Sequence, residues 1–231
     1  MKPIILGIET ATDACSVALN TERGIINRFA IEPQAHSKLL LGMVDELCNE
    51  AGIKLEQIDA FAFGKGPGSF TGLRIAASVI QGLAFGCEKP VIAVSTLQAL
   101  AQQAKNSLQV DHVLALIDAR MQEVYWGKYS ARADGLVRNE SADCLQNPEF
   151  LTFENTANCV AVGTGCMAYA TILQTNNQQL TLNTTILYPR AQEIVQIALA
   201  EYAVNNLTPA SQAVPVYIRN DVAKKSKKNP D

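Results

Sequence analysis

The chain has 231 residues, 48% of them apolar, and its 19 basic and 22 acidic side chains give a net charge of -3 and a pI near 5.5. That length and apolar share support a core large enough for two lobes. The acidic balance excludes a chain that supplies a broad phosphate-binding face by itself, so any role with nucleic acid leans on a partner.

In chain order, periodicity predicts strands at about 3–10, 14–20 and 24–30, then a helix from about 37 to 51. This helix carries Leu39, Leu40, Leu41, Met43, Val44, Leu47, Cys48 and Ala51, more apolar surface than one sheet-facing stripe requires. A strand follows at about 58–63, then the turn Gly66-Pro67-Gly68-Ser69-Phe70-Thr71-Gly72 and a helix over about 72–86. Only Arg74, Ser78 and Gln81 interrupt its apolar run, and their spacing draws one narrow stripe. Ala76, Ala77, Gly82, Ala84 and Gly86 suit close helix approach. Both helices are therefore expected to meet a second subunit as a four-helix bundle, through Leu40, Met43, Val44, Leu47, Arg74, Ala77, Ser78 and Gln81. A strand at about 90–94 and a helix at about 96–105, with Ser95 and Gln98 as a capping box, close the first half.

The second half repeats the order. Strands fall near 112–118, 122–130 and 135–139, a short helix begins at Asn147-Pro148, and a strand lies at about 159–162. A helix from Gly165 to about 176, a weak strand near 184–187 and a helix from Pro189 to about 204 complete the pattern. Each half opens on an apolar strand that ends in an acid, Glu9 in LGIET and Asp118 in LALIDAR. This duplicated βββαβαβα plan resembles the α/β, ribonuclease H-like lobes of the actin, sugar-kinase and heat-shock-chaperone ATPase superfamily, whose first hairpins face one another across a nucleotide cleft. The expected division is a lobe of residues 1–105, a lobe of 106–222 and a Lys-rich tail of 223–231 with Lys224, Lys225, Lys227 and Lys228. Those lysines are either a solvated tail or a tRNA contact.

The six cysteines, at 15, 48, 87, 144, 159 and 166, form no CxxC pair and read as reduced, mostly buried thiols. The segment before Glu9 is too short for a signal-peptide core and no run approaches a membrane span. A soluble cytoplasmic protein is expected.

The glycine turn at 66–72 is not a phosphate loop by spacing, since Lys65 precedes it and Thr71 stands where GxGxxG needs glycine. A tight turn that aims a packing helix accounts for it. Glu9 and Asp118, with Thr10, Gly163 and Gly165, are the candidates for a vestigial nucleotide cleft; the bland alternative is that each acid caps neighbouring backbone. Asp118, Arg120, Glu123 and Tyr125 form either a polar network at a cleft or a solvated ion-pair cluster. His36 and His112 are the only histidines, and no HExxH or GxSxG pattern exists, so hydrolytic and zinc mechanisms lack their parts. No catalytic residue, metal or cofactor is assigned.

Four segments together, Leu6-Gly7-Ile8-Glu9-Thr10, the GPGSFTGLR stretch ending at Arg74, Asp118-Ala119-Arg120 with Glu123-Val124-Tyr125, and Pro215-Val216-Tyr217-Ile218-Arg219, resemble the bacterial TsaB (YeaZ) family of tRNA threonylcarbamoyladenosine biosynthesis proteins. The resemblance spans nearly the whole chain. It implies a pseudoenzyme subunit that pairs with the catalytic paralogue TsaD, with the ATPase TsaE docking on the pair, in threonylcarbamoyl transfer to the adenosine beside the anticodon of tRNAs reading A-starting codons. The apolar surface of the two helices is expected to make a homodimer when the paralogue is absent, and the acidic balance implies tRNA contact mainly through the complex. The paralogue's metal-binding histidines stand where this chain has Thr96 and Leu100. The competing readings are an ATP-dependent phosphotransferase of the same superfamily and, third, a glycoprotease-type peptidase.

Overall fold

Ile5–Glu9 (β1) is buried along its whole length because partners flank it on both sides and helices cover both faces. Ala14–Thr21 (β2) and Gly24–Ile31 (β3) continue from it as an antiparallel meander, while Ala60–Gly64 (β4) and Val91–Val94 (β5) add in parallel on its other side. The first sheet therefore reads β3-β2-β1-β4-β5. The computed structural model describes residues 2–219 apart from 155 and 157, and within it the plan recurs. His112–Asp118 (β6), Val124–Ala131 (β7) and Val137–Asn139 (β8) form the meander, with Cys144–Gln146 (β9) also pairing β7. Cys159–Val162 (β10) and Thr181–Leu182 (β11) extend β6 in parallel, giving β11-β10-β6-β7-β8. The order is the ribonuclease H-like one in both lobes. The expected tail at 223–231 lies outside the described residues.

His36–Ala51 (α1) and Phe70–Gly86 (α2) cover one face of the first sheet, packing Leu40, Val44, Leu47, Ala76, Ala77 and Ile80 against Leu6, Ile8, Val17, Phe61 and Phe63. α1 stops at Gly52, whose left-handed backbone (φ 66°) lets its amide reach the last carbonyls. Ser69 caps α2 by accepting from the Gly72 amide at 3.3 Å.

Two of the remaining helices are exchanged between lobes. Thr96–Leu108 (α3) follows β5, yet its Leu97, Leu100, Ala101 and Ala104 pack on Val113, Ala115 and Ile117 of the second sheet. Thr164–Ala168 (α4) and Ala170–Asn176 (α5) cover that sheet's other face. Ala191–Ala203 (α6) crosses back, setting Ile194, Val195 and Ala198 against Ile5, Ala18, Ala60 and Ile92 of the first sheet. A Cβ at Gly7 would stand 2.6 Å from the Val195 side chain, so glycine there lets α6 settle onto β1. α3 and α6 touch, and Asn106 donates to Gln196 at 2.7 Å, so the exchanged pair forms a shared base beneath both sheets. The division expected at 105/106 falls in the last turn of α3.

Several local expectations need correction. The helix expected over 165–176 is broken at Tyr169 into α4 and α5. The strand expected near 184–187 lies at 181–182, because the Asn183 side chain accepts from the amides of Thr185 (3.0 Å) and Ile186 (2.9 Å) and turns the chain there. At Asn147-Pro148 only one 3-10 turn forms, over Pro148–Phe150. The Ser95 cap accepts from the Gln98 amide, but the Gln98 side chain donates to the Val137 carbonyl at 3.1 Å, so the capping box is half made. No helix among the described residues is long and apolar enough to cross a membrane.

Candidate functional site

The turns that follow β1 and β6 face each other across a cleft of about 570 Å³ between the lobes. Thr12, Asp13, Ser69 and Phe70 line the first-lobe side, and Asp118, Arg120, Met121, Tyr125, Thr164 and Met167 the second.

On the first-lobe side the glycine loop is spent on the hairpin. Thr10 is fully buried and its hydroxyl donates to the Gly72 carbonyl at 2.8 Å, while the Ser69 amide donates to the Ala11 carbonyl at 2.7 Å. A Cβ at Gly72 would lie 2.0 Å from the Thr10 carbonyl oxygen, and one at Gly68 2.4 Å from that of Ala11. The glycines thus let two backbones touch. The Ser69 and Gly72 amides, at the start of α2, already have partners within the chain.

Glu9 lies beneath this contact with no exposure to the cleft. Its Oε1 accepts from the Ala11 amide at 2.6 Å and its Oε2 from the Thr96 hydroxyl at 3.2 Å. Burial pushes its carboxyl up to about 7, and those hydrogen bonds oppose the rise only in part. Thr96 is itself tied down, since its hydroxyl also accepts from the Gly66 amide at 3.2 Å.

Asp118 is the acid that does line the cleft. Its Oδ1 accepts from the Arg120 amide at 2.9 Å and the Tyr169 hydroxyl at 3.1 Å, and its Oδ2 lies 3.4 Å from the Arg120 guanidinium. Arg120, Met121 and Gln122 all have positive φ, which turns the hairpin tip sharply. Glu9 and Asp118 are therefore not brought together as a working pair. Gly163 and Gly165 lie under the cleft wall, where a Cβ would come within 2.0 Å of the Leu116 carbonyl oxygen and 2.7 Å of Val124 respectively. Both serve close packing of α4 on β6. Among the described residues no group of three or more His, Cys, Asp or Glu is placed to hold a metal.

One wall was missed from the sequence as a structural element. Residues 213–219 run as a strap along the cleft, with the Val216 amide donating to the Lys65 carbonyl at 2.7 Å. Arg74 donates to the Tyr217 hydroxyl at 3.1 Å and lies 3.9 Å over the Phe70 ring, which packs on Tyr217. Arg219 pairs with Glu123 and donates to the Arg120 carbonyl at 3.4 Å. The polar network expected around Asp118, Arg120, Glu123 and Tyr125 thus has Arg219 as its further member.

The expected interface residues divide by face. Leu40, Val44, Leu47 and Ala77 are buried in the chain's own core and offer no surface to a partner, because they are the residues of α1 and α2 that point at the sheet. Met43 and Gln81 are half-buried, and Gln81 donates to the Ala213 carbonyl at 3.0 Å. Arg74 and Ser78 are exposed. The outer faces carry instead Leu41, 56% exposed, and Phe85, 81% exposed, together with Gly42 and Gly82, which have open space where a Cβ would stand.

A family model described as TsaD, tRNA N6-adenosine threonylcarbamoyltransferase, matches residues 16–227. The tRNA threonylcarbamoyladenosine biosynthesis protein TsaB of Escherichia coli is 39% identical over 222 residues, which span 95% of this chain and 96% of that protein. Its namesake from Haemophilus influenzae is 38% identical over 94% of both chains. The solved structure of YeaZ from Pseudomonas aeruginosa superposes with a TM-score of 0.85 at 38% identity, covering 93% of this chain and 99% of that one.

Proposed function

The chain belongs to the TsaB (YeaZ) family of tRNA threonylcarbamoyladenosine biosynthesis proteins, and we propose accordingly that it is the non-catalytic partner subunit of threonylcarbamoyl transfer to tRNA. In this reading it docks on and stabilises the catalytic paralogue TsaD, acts with the ATPase TsaE, and serves the adenosine beside the anticodon of tRNAs that read A-starting codons. Without the paralogue it forms a homodimer through the same surface.

The observation that carries this reading is the state of positions 96 and 100. The Thr96 hydroxyl is locked between Gly66 and Glu9, and Leu100 is a fully buried core residue against Gly163. Side chains committed to packing in this way cannot present ligands to a cleft metal. A second observation supports docking through the outer face of α1 and α2. Mid-helix glycine costs about 1 kcal/mol relative to alanine, and neither Gly42 nor Gly82 has an internal neighbour that requires it. Close approach of an external helix supplies the reason, and the exposed Leu41 and Phe85 supply apolar area for it.

The test is a reconstitution. The full chain, the catalytic paralogue and their mixture, each with TsaE, ATP and substrates, are assayed for threonylcarbamoyl transfer; activity confined to the mixture supports the reading, and transfer by the chain alone contradicts it.

A further inference from the structure

The two lobes are joined at opposite ends. At the base, α3 and α6 pack together and are shared between the sheets. At the cleft mouth the gap is crossed by the strap of residues 213–219, which belongs in sequence to the second half yet is fastened to the first lobe. Its Val216 amide is bonded to Lys65, and Gly66, with φ 109°, brings backbone so near that a Cβ there would lie 2.8 Å from the Val216 carbonyl oxygen. Tyr217 is held by Arg74 and Phe70 in the first turns of α2. Two residues further on, Arg219 crosses to the second-lobe hairpin, where its side chain, only 16% exposed, pairs with Glu123, bonds the Arg120 carbonyl and lies 3.6 Å from the Met121 sulfur.

We propose that this strap is a cross-brace that fixes the opening of the cleft and couples the start of α2 to the tip of the second-lobe hairpin. A hinge at the base leaves one rotation free, and a tie at the mouth removes it. The hairpin tip needs such a tie, since three successive residues with positive φ hold it in a conformation that L residues seldom adopt. Arg219 is a positioning residue in this scheme and touches no substrate. The brace depends on contacts within the chain alone, so it stands apart from the question of which protein docks on α2.

Coupling of this kind is reciprocal, and that gives two independent tests. The full chain is followed by amide hydrogen exchange in two variants. Glu123→Gln changes only the second lobe, and it should speed exchange of the Val216 amide, bonded to the first lobe, by about tenfold, the size a lost charge-assisted hydrogen bond supports. Tyr217→Phe changes only the contact with Arg74 and keeps the ring; it should speed exchange of the Glu123 amide, which donates to Arg120 at 3.1 Å in the hairpin. Thermal unfolding midpoints close to wild type show that the lobes remain folded, and where one variant loses its fold the other decides. Exchange changes confined to the altered lobe overturn the brace.

Discussion

The Glu9 carboxylate and Gly64 occupy adjoining space at the ends of β1 and β4, and a Cβ on residue 64 would sit 1.8 Å from the Glu9 Oε2. Glycine at 64 is thus the condition for a fully buried acid at 9. The acid in turn is fixed by Ala11 and Thr96, so the end of the first strand is a packed joint rather than an open site.

This joint makes stability depend on pH. The folded carboxyl titrates near 7 against 4.5 for the free group, so between these values the folded state binds more protons than the unfolded one. Stability is therefore highest below 4.5 as far as this group is concerned, falls as pH rises towards 7, and loses on the order of 3 kcal/mol in all. Glu9→Gln keeps acceptor and shape without the charge. Urea unfolding at pH 5 and pH 8 should show a smaller loss in the variant than in the wild type.

The two faces of α1 separate core from the proposed docking surface. Leu40→Ala should destabilise the isolated chain by about 2–5 kcal/mol, as expected for an emptied core position. Leu41→Ala should change its stability by about 0.5 kcal/mol or less, yet weaken association with a second subunit. Denaturant titration together with sedimentation of the isolated chain and of its mixture with the paralogue checks both.

Gly82→Leu sets stability against assembly at one position. Removing a mid-helix glycine into open space should stabilise the isolated chain by about 0.5–1 kcal/mol. The added side chain should block close helix approach, so homodimer and mixed complex are both lost. A variant that is more stable and still assembles would move the docking surface away from α2.

Much of this architecture was legible from pattern alone. The two acids at the ends of β1 and β6 and the repeated strand order follow from apolar runs broken by turn residues. The exchange of α3 and α6 was not, because an amphipathic helix declares that it has a buried face and not which sheet will bury it. Three consecutive leucines at 39–41 likewise leave the inward direction open. The helix phase sends Leu40 to the core and Leu41 to solvent, a choice that depends on how α1 lies across β2. The lock on Glu9 depends on Gly64 and Thr96, remote in sequence, and the strap's second anchor needed the pairing of Arg219 with Glu123 across the cleft.

The acidic chain should bind tRNA weakly alone and lose that binding steeply with salt, whereas its mixture with the paralogue should bind more tightly. Fluorescence anisotropy at low and physiological salt checks this, and tight binding by the isolated chain at physiological salt runs against it.

The most direct measurement of the central claim is threonylcarbamoyl transfer and ATP turnover by the chain alone, by the catalytic paralogue alone, and by the two together with TsaE. The account predicts transfer only from the mixture, and neither transfer nor appreciable ATP hydrolysis from this chain by itself. Robust ATP turnover by the isolated chain that is lost in Asp118→Ala would contradict it and make the cleft a working active site.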